Sequence, residues 1–62
     1  MNEKYWNIIF ILDHAIITTN IMSNSSNEDD LEDMAREKLL NMEGINTTKL
    51  NINDIEFEEV TL

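Results

Sequence analysis

The side chains able to do chemistry near neutral pH are few. His14, the single histidine among 62 residues, stands beside Asp13 and is the only candidate general base. No Ser lies in a nucleophile motif, Cys is absent, and no glycine-rich loop is present to cradle a phosphate. A lone His at a turn more often closes the turn than moves a proton, so no catalytic residue is assigned. The run Glu28-Asp29-Asp30-Leu31-Glu32-Asp33 is the other candidate, as a calcium site. A calcium loop needs alternating oxygen ligands, a Gly for its sharp turn and a distal bidentate Glu. Here the Gly is missing and the run opens a helix, which sends its acids in several directions. Neither a metal nor a cofactor is expected.

Charge as a surface property is a stronger signal than charge as chemistry. Thirteen acids oppose four bases, for a net charge of −9. Such a body repels nucleic acid and anionic membranes and attracts basic protein surfaces over about a Debye length. On a helix, Asp29, Asp30, Asp33 and Glu37 share a side at spacings of three and four. Glu56, Glu58 and Glu59 form a second group on the last predicted strand. Glu28, Asp29 and Asp30 are partly explained by the helix dipole. Like charges at the other spacings each cost a few tenths of a kcal/mol, with no structural return. Carboxylate arrays of this kind suit a basic groove by resembling the phosphates that the groove normally holds. The expected partner is a protein with a basic surface, and Trp6 joins the seven acids as a candidate contact.

These residues must be positioned by few elements. A chain this short forms one domain, residues 1–62, and buries only about 60% of the surface its unfolded form exposes. It has no disulfide to staple it. Tyr5 to Met22 predicts a β-hairpin, because Trp6, Ile8, Phe10 and Leu12 are apolar at period two. Asp13-His14 is its two-residue turn, both types tolerating positive φ. Leu12 then faces Ala15, Phe10 faces Ile17, Ile8 faces Thr19 and Trp6 faces Ile21. The opposite face carries Ile9, Ile11, Ile16 and Met22, which a single helix cannot also cover. That face is the second candidate interface, through which a homodimer or accessory subunit would associate.

Ser25, Ser26 or Asn27 caps the following helix, with Ser25 and Glu28 at capping-box spacing. Leu31, Met34, Ala35, Leu39 and Met42 form its apolar stripe, and Gly44 ends it as a C′ residue. A strand from about Asp54 to Thr61, bulged near Glu58-Glu59, completes the chain. The predicted class is α+β: a small ββαβ domain with an antiparallel sheet and one helix on one face. Its expected core is Trp6 or Tyr5, Ile8, Phe10, Ile17, Leu31, Met34, Ala35, Leu39 and Phe57. No signal peptide is read in the first residues, and the apolar run Ile8 to Leu12 is far shorter than the ~20 residues of a membrane span. A cytoplasmic protein is the expectation.

Lys4-Tyr5-Trp6 opening the hairpin, Asp13-His14 at its turn, and an acidic helix with Asp30, Leu31, Met34 and Ala35 together resemble a known family. It is the small inhibitors of host RNA polymerase made by T-odd phages, which share the opening, the acid-His turn and a ββαβ order. The resemblance covers roughly the first forty residues. It implies a phage protein of host takeover, acting in the host cytoplasm. An acidic face would dock beside the polymerase's downstream DNA channel as a DNA mimic, inhibiting transcription. The family's helix acids fall on Asp29, Asp30 and Asp33. Its hairpin acids fall on Phe10 and Ile17, and its last-strand arginines on Glu59 and Thr61, so the resemblance carries further for the scaffold than for the target.

Overall fold

The computed structural model of the chain describes residues 3–60. Strand β1 (Lys4–Ile11) is followed by β2 (Ile16–Ser23), helix α1 (Glu28–Lys38) and strand β3 (Asp54–Val60). The strands form one three-stranded sheet in the order β2-β1-β3. Both pairings are antiparallel, so the hairpin's first strand lies at the centre. This is the predicted ββαβ architecture.

The hairpin register is the one that alternation dictates, with Phe10 opposite Ile17, Ile8 opposite Thr19 and Trp6 opposite Ile21. The Leu12 N–H donates to the Ala15 carbonyl at 2.9 Å and closes the turn. The conformational reason differs from the expected one. No non-glycine residue among those described has positive φ, so Asp13 and His14 do not use their tolerance of it. Asp13 is instead held by the side-chain amide of Asn53, which donates to its carboxylate, tying the tip to the approach of β3.

Helix α1 packs on the face of the sheet that carries the even-numbered residues of β1. The buried core is Ile8, Phe10, Ile21, Leu31, Ala35 and Leu39, with Trp6, Leu12, Ile17, Ile45, Ile52, Ile55 and Phe57 packed around it. Full burial of a side chain the size of Phe10 or Leu31 stabilises by about 1.5–3 kcal/mol. One alternative about the core is decided and two expectations about the helix stripe are corrected. Tyr5 alternates onto the opposite face, so Trp6 is the aromatic that packs inward. Met34 and Met42 are exposed, because the buried stripe is the narrow line Leu31, Ala35, Leu39, each four residues from the last. Beyond Lys38 the chain widens into a π turn, Leu39–Glu43, whose extra residue per turn breaks the spacing of the stripe and leaves Met42 exposed at the rim of a groove along β2.

The helix ends behave as capped termini, with one change of residue. The cap is Asn27, whose side chain accepts from the Asp29 N–H at 2.8 Å. The Ser25–Glu28 capping box does not form. Ser25 Oγ accepts from the Asn27 N–H at 3.0 Å and donates to Asp30 at 3.2 Å. Gly44 stops the helix at φ 70°, as its place in the sequence predicts. From there the chain crosses back over the sheet through a 3₁₀ turn, Thr47–Lys49. Its buried Thr47 and half-buried Ile45 and Ile52 close the part of the core that the helix leaves open. Strand β3 pairs in unbroken register from Asp54 opposite Ile11 to Val60 opposite Tyr5, so the bulge expected at Glu58-Glu59 is absent; Thr61 lies outside the described residues.

Candidate functional site

Strand alternation decides where the acids of β3 go. Ile55 and Phe57 point under the helix and pack against the core, so Asp54, Glu56 and Glu58 point to the other face of the sheet. Glu59 goes with the first pair. It sits opposite Trp6 and ion-pairs with Lys4, Nζ to Oε1 3.8 Å. The expected cluster Glu56, Glu58 and Glu59 is therefore split between two faces, and its third member is already paired with a cation.

The face turned away from the helix has three rows. Its centre is Tyr5, Asn7, Ile9 and Ile11 on β1. On one flank β2 presents Ile16, Thr18, Asn20 and Met22. On the other β3 presents Asp54, Glu56, Glu58 and Val60. Nothing among the described residues covers it: Ile16 is 67% exposed, Met22 42% and Tyr5 38%. The second candidate interface, Ile9, Ile11, Ile16 and Met22, is thus intact on this face, and a carboxylate row that sequence reasoning had not placed there runs along its side. Glu58 is steadied by Asn7, whose amide donates to it at 3.0 Å. The face carries no Lys or Arg. The signal for this arrangement was in the sequence, as Asp54-x-Glu56-x-Glu58 interleaved with Ile55 and Phe57.

The helix acids lie elsewhere. Asp29, Asp30, Asp33 and Glu37 are all exposed on the side of α1 opposite Leu31, Ala35 and Leu39, across the thickness of the molecule from Glu56 and Glu58. No single planar surface can engage both groups. Trp6 belongs to neither. It is half-buried on the covered face, and its indole N–H is buried without a hydrogen-bond partner among the described residues.

Arg36 has a structural role. Its Nε donates to Glu32 at 2.8 Å, its Nη1 donates to Thr47 Oγ1 at 2.9 Å, and its guanidinium lies 5.6 Å from the centroid of the Phe10 ring. His14, the one candidate base, is exposed at the hairpin tip beside Lys49, Leu50 and Asn51. No group of three or more His, Asp or Glu is gathered as metal ligands among the described residues, and no helix among them is long and apolar enough to cross a membrane. Comparison with protein-family models, with curated proteins and with solved structures yields no match.

Proposed function

We propose that this chain is a non-catalytic binding protein that docks the open face of its sheet onto a basic, nucleic-acid-handling protein and inhibits it. The observation that supports the reading is the union of an apolar strip (Tyr5, Ile9, Ile11, Met22) with a row of carboxylates (Asp54, Glu56, Glu58) on one uncovered face, whose strands turn no Lys or Arg outward. The strip supplies area to be removed from water. The carboxylates steer the encounter and select a basic surface. The resemblance in the hairpin and helix supplies the candidate target, host RNA polymerase, and with it the cytoplasm of a phage-infected cell as the place of action. The acidic back of α1 would then face solvent or a second basic element of the same partner.

Binding to purified bacterial RNA polymerase, measured at low and high salt, tests this reading. Glu56→Gln together with Glu58→Gln should weaken the complex by about tenfold or more, equivalent to about 1.4 kcal/mol, and binding should fall as salt rises. Asp29→Asn with Asp33→Asn should weaken it less. Binding that ignores salt and survives the β3 variants would remove the proposal.

A further inference from the structure

The two edges of the sheet are built differently. β3 carries Asp54, Glu56, Glu58 and Glu59, and charges of this kind deter further strand pairing. The other edge, β2, reads Ile-Ile-Thr-Thr-Asn-Ile-Met-Ser. It has no charge, Pro or Gly, and it runs against β1 without a bulge.

Its outward backbone groups can be identified. The Leu12 N–H to Ala15 carbonyl bond turns the groups of Ala15 toward β1. Alternation of an antiparallel ladder then turns those of Ile16, Thr18, Asn20 and Met22 outward. One of these has a partner: Lys38 Nζ donates to the Asn20 carbonyl. Ile16 and Thr18 have none among the described residues, and the Ile16 side chain beside them is 67% exposed.

We propose that β2 pairs antiparallel with β2 of a second copy of this chain, about a two-fold axis at Ile17, merging two sheets into one. Ile16 of each copy then faces Thr18 of the other, and about four hydrogen bonds form from groups that are free in the single chain. An axis at Thr18 would instead set Ile16 against Asn20 and displace Lys38. Charge selects the occupant. At −9, two copies repel through any carboxylate-bearing surface, and of the two edge strands β2 is the one that has none. A basic partner is drawn to the carboxylates instead. The contact is isologous, as a two-fold dimer requires, and it stands independently of the function proposed above.

Sedimentation equilibrium of the full chain tests it, at low and high salt. The mass should rise with concentration from 7.3 kDa toward twice that value. Association should strengthen with salt, which screens the repulsion between acidic copies; binding of a basic partner has the opposite dependence. Thr18→Pro removes an outward N–H that β1 does not use, and Thr18→Lys sets like charges near the axis. Either variant, folded by circular dichroism, should stay monomeric. Ile9→Asn, at the centre of the open face, should still dimerise. A wild-type chain that remains at the monomer mass into the millimolar range overturns the proposal. So does a dimer that survives both Thr18 variants but is lost with Ile9→Asn, which would place the contact on the open face.

Discussion

Arg36 concentrates three interactions on one side chain, each modest. Its ion pair with Glu32 is about a quarter to a third exposed, so screening keeps it near the few tenths to 1 kcal/mol of surface pairs. The stack on Phe10 adds about 0.5–1 kcal/mol, and the bond to Thr47 ties the 3₁₀ turn to the helix. A lysine could satisfy one of these at a time, since its ammonium lacks the planar fork. Arg36→Lys is therefore expected to lower stability by about 1 kcal/mol, read as a lower urea midpoint with an unchanged slope. Sequence spacing reveals the Glu32–Arg36 pair, because both lie on one helix. It cannot reveal Thr47 or Phe10, which only the crossing of the return segment over the sheet brings within reach.

Among the elements, α1 is defined by its two ends. Asn27 holds one N-terminal N–H, and its replacement by Ala should cost about 1 kcal/mol. Gly44 sits at φ 70° with nothing within 4 Å of where a Cβ would lie. Gly44→Ala is therefore penalised by backbone conformation alone, by about 1–2 kcal/mol. Thermal melts of the two variants check both figures, and a Gly44→Asn chain should lose less than Gly44→Ala. That a helix ends at Gly44 is plain from composition. Which of Ser25, Ser26 and Asn27 caps it is not, since all three can accept the bond. The choice follows from where the chain leaves β2, with Ser23 Oγ accepting from the Ser25 N–H at 3.0 Å and starting a series of local turns that delivers Asn27 to the helix.

For the whole molecule, the four bases are not spread to balance thirteen acids. Lys4 and Arg36 are spent on Glu59 and Glu32, and Lys38 on a backbone carbonyl. The carboxylates of the open face and of the back of the helix stay without a salt-bridge partner among the described residues, so the folded chain repels itself. Raising salt from about 0.01 to 0.15 M shortens the Debye length from ~30 to ~8 Å and should raise the melting temperature. A melting temperature that is flat over this range would show that the acids are too far apart to interact in the fold, and one that falls would show that the ion pairs outweigh the repulsion.

The sequence by itself determined the element order, the hairpin register, the helix stop at Gly44 and the excess of negative charge. All of these follow from periodicity, turn chemistry and counting, which act over a few neighbouring residues. It also separated the acids from the uncovered apolar residues, as though they belonged to rival surfaces. Tertiary structure alone decided that β3 pairs with β1 rather than β2. That pairing carries Asp54, Glu56 and Glu58 to the side of Ile9 and Ile11, sends Glu59 to Lys4, and leaves β2 as the bare edge. The physical reason is burial. Ile55 and Phe57 gain most under the helix and its return segment, and once they turn inward the pleat of the strand sends the carboxylates between them to the opposite face.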